Sequence, residues 1–274
     1  MLTVTRLAKT TKVWDNNHSL KPKLFAKTNL NSDTAGILST KDEVYAPSIM
    51  GTLVDLATRC FVLKAQNYDK IAKRGAAVVD YLLGNNIGSN ILFCGQNIVA
   101  FNSQRDITNI DDADFMPIAE MAWLETQYRY PRRDETPEDL SEIDHLTAEH
   151  IKIMLLRAKN FFNHYGKPTV ADYDVKNKDG SVWGDGDFLS NSYLVDFKTY
   201  ASNVLLAKNN RQLMMYYVLG VQEKKYPEFA SIDKLVYYNP RTGEVYEVRV
   251  DDIPDDVKKS VLDTANNPYQ MVQQ

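Results

Sequence analysis

Three short strings in the second half of the chain combine acidic, basic and amide side chains in a fixed order. Asp187 closes a Gly-Asp-Gly-Asp string, Asp196 and Lys198 form an Asp-x-Lys pair, and Gln212 stands four residues before Tyr216. Two carboxylates can hold Mg²⁺ or Mn²⁺, whose preferred ligands are carboxylate and water oxygens. A lysine beside them could orient an attacking water or offset charge on a phosphorane. These residues therefore predict a metal-dependent site that cleaves phosphodiester bonds.

The strands predicted around these residues would bring the charged groups together. Side chains two apart on a strand share one face, so Asp196 and Lys198 lie on the same face of a strand predicted over 193–200. A short Ser-Asn-Ser turn precedes that strand. The turn would place Asp187, on a strand predicted over 181–189, roughly opposite Asp196. The hairpin is therefore expected to present two carboxylates to one metal ion.

The helix predicted over 204–221 would add a polar stripe. Its residues Lys208, Gln212 and Tyr216 are spaced four apart and so lie on one face. Gln212 could position the lysine or a substrate phosphate, and Tyr216 could donate a hydrogen bond to a phosphate oxygen. Lys208 and Arg211 are candidates for contacts with a nucleic-acid backbone. The alternative for Gln212 and Tyr216 is a partly buried polar pair without a catalytic role.

The order D…D-x-K…Q-x-x-x-Y, on a hairpin followed by a helix, resembles the PD-(D/E)XK nuclease superfamily, in particular its RecB-like branch, which includes lambda-type phage exonucleases. The resemblance covers about residues 169–250 by motif and the preceding half only loosely. It implies a restriction-endonuclease-like core with a central mixed β-sheet flanked by helices. It also implies DNA as the partner and Mg²⁺ or Mn²⁺ as the cofactor.

That branch often carries a Gly-Thr-x-x-His string on an upstream helix, whose histidine is a further metal ligand. Gly51-Thr52-Leu53-Val54-Asp55 offers Asp55 at the matching place. A carboxylate suits Mg²⁺ at least as well as an imidazole does. The resemblance thus implies Asp55, Asp187 and Asp196 as metal ligands. An ordinary solvent-facing acid is the alternative for Asp55, and Asp185 competes with Asp187.

The function expected from this pattern is that of a DNA exonuclease or of a recombination or defence nuclease. The chain contains no P-loop string, so a helicase or recombination partner would have to supply any motor activity. A non-catalytic nucleic-acid-binding or assembly module on the same fold is the alternative from another class. An RNA-directed nuclease is a third, because phosphates are common to both polymers.

The 274 residues predict an α/β chain of mixed α+β type with a helical first half. We expect an N-terminal arm over 1–45 and one domain over 46–274, made of a helical part, 46–165, and a catalytic core, 166–274. Apolar periodicity predicts helices over 47–66, 68–83, 117–128, 147–165, 204–221 and 254–266, and strands over 169–177, 181–189, 193–200, 232–239 and 244–250. An accessory hairpin is predicted within 90–101.

Composition limits the surroundings in which the protein works. Two cysteines are too few for a disulfide framework or a four-cysteine cluster, which favours a reducing cytoplasm. No stretch approaches the roughly 20 apolar residues of a membrane span, so no membrane insertion is expected. The formal charge of −4 argues mildly against a surface that binds nucleic acid everywhere. Binding would then depend on local cations near the site.

Overall fold

The computed structural model describes residues 2–10, 14, 20–31, 33–137, 140 and 142–268. It is an α+β fold in which helices flank a mixed, open sheet of seven strands. The helices are α1 (Val4–Lys9), α2 (Pro47–Ala57), α3 (Lys70–Leu83), α4 (Ile87–Asn102), α5 (Phe115–Arg129), α6 (His145–Tyr165), α7 (Ala207–Glu223) and α8 (Asp255–Asn266). The strands are β1 (Leu2–Thr3), β2 (Ala26–Asn29), β3 (Val170–Lys176), β4 (Val182–Leu189), β5 (Tyr193–Phe197), β6 (Lys234–Asn239) and β7 (Glu244–Arg249).

The sheet leaves part of one strand edge open. The strand order is β1-β4-β5-β6-β7-β2, and β3 pairs along the other edge of β4. On their shared edge of β4, β1 pairs with Val182 and Trp183, whereas β5 pairs with Phe188 and Leu189. Residues 184–187 lie between these two pairings, and no described strand pairs with them on that edge. The two aspartates of the Gly-Asp-Gly-Asp string stand in this gap.

Apolar layers cover both faces of the sheet. Helices α1, α7 and α8 pack on one face around buried residues such as Leu213, Met214 and Val261. The C-terminal half of α6 packs on the other face, where Phe161 stacks on Tyr238 with ring centroids 4.3 Å apart. A third cluster holds α2 to α5 and the first half of α6 together. The helical part thus has its own core and shares α6 with the sheet.

Local signals explain where α2 begins and where α6 begins and ends. Pro47 occupies the first turn of α2, where its missing N–H costs no hydrogen bond. Asp144 caps α6 by accepting a hydrogen bond from Thr147 N at 2.8 Å. Gly166, with φ of 88°, ends that helix. A π-helical turn at Thr58–Val62 prolongs α2, so the helix predicted over 47–66 consists of two segments.

The other predicted helices and the five predicted strands are present, with small shifts of their ends. The hairpin predicted within 90–101 is wrong, because this segment belongs to α4. Ile91, Gly95 and Val99 face the interior at a helical spacing of four. A Cβ on Gly95 would come within 2.0 Å of Met121 Sδ, so this glycine permits close packing of α4 on α5.

Much of the predicted N-terminal arm, 1–45, belongs to the core of the fold. β1 and β2 form opposite ends of the strand order, and β2 pairs with β7. Helix α1 buries Val4, Leu7 and Ala8 against the sheet. Residues 11–13, 15–19 and 32 of the arm lie outside the described residues, as do 138, 139 and 141 of the acidic connection before α6.

A helix that crosses a bilayer needs roughly 20 apolar residues. Within the described ranges, every helix is too short or too polar to do so.

Candidate active site

The predicted residues meet in one pocket at the seam between the helical part and the sheet. The cavity has a volume of about 660 Å³ and contains Asp187, Asp196, Lys198, Gln212 and Tyr216 in its wall. The helical part contributes Asp55 from α2 and Arg129 from α5, and α1 contributes Thr5. Residues far apart in the chain therefore form one site, on the open edge of β4.

Asp187 stands where β4 and β5 separate. The last pair of the ladder before the pocket is Phe188 with Val195. The next contact is made by a side chain, because Asp187 Oδ2 accepts a hydrogen bond from Phe197 N at 2.6 Å. This bond holds the Asp187 carboxylate beside Asp196, the arrangement expected from the sequence for this hairpin.

Lys198 connects the hairpin to α7. Its Nζ forms an ion pair with Asp196 Oδ2 and donates a hydrogen bond of 3.3 Å to Gln212 Oε1. Gln212 Nε2 in turn donates to Tyr216 OH at 3.0 Å and to Thr5 Oγ1 at 2.9 Å. This hydrogen bond places Gln212 where it could position the lysine, one of the two roles expected of it. Tyr216 is only 3% exposed and lies behind Gln212.

The electrostatics of the pocket favour a cation. Burial raises the pKa of Asp187 well above its usual range, and the neighbouring charges of Asp55 and Asp196 raise it further. Burial also raises the pKa of Asp196, although Lys198 partly opposes this rise. Burial alone would lower the pKa of Lys198, but Asp196 and Asp187 raise it overall, so its amine stays charged. Carboxylates held this close resist joint ionisation unless positive charge is added.

Asp55 reaches the pocket from the last turn of α2. Its Oδ2 pairs with Arg59 Nη2 at 2.9 Å. Its Oδ1 is buried and has no hydrogen-bond partner among the described residues. A buried carboxylate oxygen normally has a partner. Asp55 is therefore not the solvent-facing acid of the alternative interpretation, and its free oxygen suits a cation.

A network of ion pairs that our sequence analysis did not predict adjoins the three aspartates, and two of its members, Arg129 and Asp185, line the cavity themselves. Arg59, only 1% exposed, contacts Glu125 Oε1 at 2.9 Å. Arg129 pairs with Asp185 and lies 3.6 Å from Glu125 Oε2. Asp185, the competitor of Asp187, is thus engaged by an arginine. Each arginine has one partner four residues earlier in the chain, Asp55 for Arg59 and Glu125 for Arg129, a spacing that the sequence does show. The partners that join these pairs into one network, Glu125 for Arg59 and Asp185 for Arg129, come from distant parts of the chain.

The two predicted phosphate contacts on α7 have different surroundings. Lys208 is exposed at the start of the helix. Arg211 is 6% exposed, donates a hydrogen bond to Ala8 O at 3.3 Å, and stacks over Trp14. The interpretation of Arg211 as a backbone contact is therefore wrong, because α1 and Trp14 cover its guanidinium.

The donor chemistry, carboxylates from three elements that share one cavity, is the kind that Mg²⁺ and Mn²⁺ prefer. Asp55 Oδ1 and Asp196 Oδ2 are buried without a hydrogen bond from the described residues, the latter in an ion pair with Lys198, and the oxygens of the three aspartates do not all lie within 4.8 Å of one another. Across the described chain, one set of three candidate ligands has its donor atoms all within 4.8 Å of one another, and it is a different one, Asp112, His145 and Glu149. In that set Lys152 Nζ lies 2.7 Å from Asp112 and 3.3 Å from Glu149. None of its three residues lines the cavity that contains Asp187 and Asp196.

Comparisons of the chain with known protein families, with curated proteins and with solved structures found no match.

Proposed function

We propose that the protein is a Mg²⁺- or Mn²⁺-dependent nuclease that hydrolyses DNA phosphodiester bonds, of the PD-(D/E)XK type and its RecB-like branch. An exonuclease or a nuclease of recombination or defence is the activity that we favour. The observation that carries the proposal is the convergence of Asp55, Asp187, Asp196 and Lys198 in one pocket. Asp187, Asp196 and Lys198 belong to one hairpin and are close for that reason. Asp55 comes from a helix in the other half of the chain, so its arrival in the same cavity is the independent support.

The roles follow from charge and position. Asp55, Asp187 and Asp196 would hold the metal, which when bound polarises the scissile phosphate and lowers the pKa of a coordinated water. Lys198, kept charged by its acidic neighbours, would orient the attacking water or stabilise charge on the phosphorane. Gln212 would keep the lysine in place through its hydrogen bond.

Lys198→Ala tests the proposal directly. Wild-type protein in Mn²⁺ is expected to degrade DNA, and loss of the ammonium group should lower kcat by about 10²–10³-fold. The measurement is release of nucleotides from linear DNA, with circular DNA to separate exonuclease from endonuclease action. Lys159→Ala, on the exposed side of α6, is the control. Equal activity of wild type and Lys198→Ala would remove the lysine from the mechanism.

The acidic pI of about 5.6 favours a second candidate, a non-catalytic module that binds nucleic acid or assembles with other proteins. Calorimetric titration with Mn²⁺ separates the two functions. Binding that disappears in Asp196→Ala supports the enzyme, whereas absence of binding to wild type supports the module. Single-stranded RNA offered beside DNA of the same sequence tests the RNA-directed alternative.

A helicase or recombination protein is the partner class that we propose, and a reducing cytoplasm is the compartment. The compartment is supported by Cys60 and Cys94, which are both free thiols.

A further inference from the structure

We propose that Arg59 is a positioning residue that holds Asp55 as a metal ligand; this inference rests on the proposed function. Arg59 lies in the π-helical turn after α2, four residues beyond Asp55. It does not line the cavity. Its effect on the site would therefore be exerted through the carboxylate that it contacts.

The contacts of Arg59 fix its guanidinium from several directions. Nη2 lies 2.9 Å from both Asp55 Oδ2 and Glu125 Oε1. Nη1 donates to Tyr68 O at 2.8 Å and lies 3.8 Å from Asp172 Oδ2. A planar donor anchored on α5, on the loop before α3 and on β3 cannot turn freely, so it holds the Asp55 carboxylate in one orientation.

This arrangement engages one oxygen of Asp55 and leaves the other without a partner. Oδ2 is taken by Arg59, whereas Oδ1 is buried and accepts no hydrogen bond from the described residues. Glu125 Oε2 and Asp172 Oδ2 of the same network are also buried without a hydrogen bond from the described part of the chain, but neither residue lines the cavity. The unsatisfied oxygen of Asp55 belongs to a residue of the cavity wall that already lies close enough to Asp187 to raise its pKa.

Asp55 and Arg59 are four residues apart, the spacing at which side chains on one helix face meet, and a π-helical turn begins one residue before Arg59. A π turn widens the helix locally, and such turns occur often at functional sites. Here it buries Arg59 beneath the cavity while Asp55, one turn earlier, reaches the cavity wall. A single helical segment therefore supplies both the Asp55 carboxylate and the Arg59 guanidinium that holds it.

The test measures Mn²⁺ affinity by calorimetry on folded protein. Arg59→Lys keeps the charge but cannot make the same set of contacts, and we expect Mn²⁺ to bind about 10–100-fold more weakly. Asp55→Asn should weaken binding to a similar degree. If Arg59 acts through Asp55, the double variant should bind no more weakly than Asp55→Asn alone.

Arg157→Lys is the matched control. Arg157 is also a buried arginine, 2% exposed, but it holds Asp33 and the backbone oxygens of Gly36 and Arg241. This variant should lose stability and keep its Mn²⁺ affinity. If Arg59→Lys fails to fold, Glu125→Gln removes the charge of a fixed anchor of Arg59 with little change in shape, and it should also weaken Mn²⁺ binding.

The outcomes separate this inference from the proposed function. Wild-type affinity in folded Arg59→Lys, or in Glu125→Gln, would overturn the role of Arg59, as would additive losses in the double variant. Binding that needs Asp196 but not Asp55 would also overturn it and would leave the nuclease proposal standing. A wild-type protein that binds no Mn²⁺ would overturn both.

Discussion

At the scale of single residues, side chains of the site are kept in position by hydrogen bonds to other side chains. Gln212 uses both ends of its amide, since Oε1 accepts from Lys198 and Nε2 donates to Thr5 and Tyr216. The spacing of Gln212 and Tyr216 predicted such a polar pair. Thr5 could not be predicted, because nothing in its neighbourhood in the sequence shows that α1 folds back onto α7.

Gln212→Met tests this positioning role. The substitution keeps the volume of the side chain but removes the acceptor for Lys198, so kcat should fall about 10–100-fold with little change in KM. Steady-state nuclease assays in Mn²⁺ measure both constants. Gln222→Met is the control on the same helix, because Gln222 bonds to Asn266. A change in KM alone would assign Gln212 to substrate binding instead.

At the scale of elements, the amphipathic patterns after residue 165 predicted the strands and helices of the core well. The pattern failed in α4, which contains no charged residue and exposes Phe93 and Phe101 to 64% and 68%. Apolar residues on both sides of a helix resemble short strands, so periodicity alone could not decide. The close packing of Gly95 on Met121 of α5 favours the helix over the strands. This contact joins residues distant in the sequence, so the local pattern could not reveal it.

Strand β3 is tied to its neighbours by one aspartate. Asp174 is 8% exposed and accepts hydrogen bonds from Lys70 of α3, at 3.0 Å, and from Tyr226, at 2.9 Å. Lys225 Nζ lies 2.5 Å from its other oxygen. Burial opposes ionisation of this carboxyl, but these three donors together lower its pKa below the usual 3.8. The folded state therefore binds the proton less tightly than the unfolded state does.

Asp174→Asn should consequently lower the free energy of unfolding in a pH-dependent way. The depressed pKa contributes stability that is fully present above the unfolded value of 3.8 and is lost as the pH falls towards the folded value. We expect a deficit of about 1–3 kcal/mol near neutral pH that shrinks below about pH 4. Urea unfolding between pH 3 and 7 measures it. Asp251→Asn, at an exposed site, should show no such trend, and a pH-independent deficit would contradict this account.

At the scale of the whole molecule, the proposed binding to DNA would have to overcome a formal charge of −4. Lys208 lies one helical turn before Gln212 on the same stripe of α7, which leads away from the pocket. Thr5 contacts Gln212 and Ala8 contacts Arg211, so α1 runs antiparallel to α7 here. Lys9, four residues after Thr5, is therefore expected near Lys208. A polymer held at the pocket would meet this basic end of the stripe.

Lys208→Ala should weaken DNA binding and make it less dependent on salt. Loss of one phosphate contact reduces the slope of log K against log salt concentration by about 0.9 for duplex DNA. Fluorescence anisotropy measures this slope. The titrations would be made without divalent metal, between about 50 and 300 mM salt. Lys159→Ala, on the helix that covers the other sheet face, should leave it unchanged. An unaltered slope in Lys208→Ala would exclude Lys208 from the footprint.

The three aspartates proposed as metal ligands come from two separately packed bodies, Asp55 from the helical part and Asp187 and Asp196 from the sheet. A metal ion bound by all three carboxylates would link these two bodies to each other. Binding of the ion would then raise the midpoint of thermal unfolding, and it would also make the two bodies unfold more cooperatively. Removal of the ion by a chelator should therefore allow the two bodies to unfold separately. A single calorimetric transition should broaden or split in EDTA and sharpen again in excess Mn²⁺.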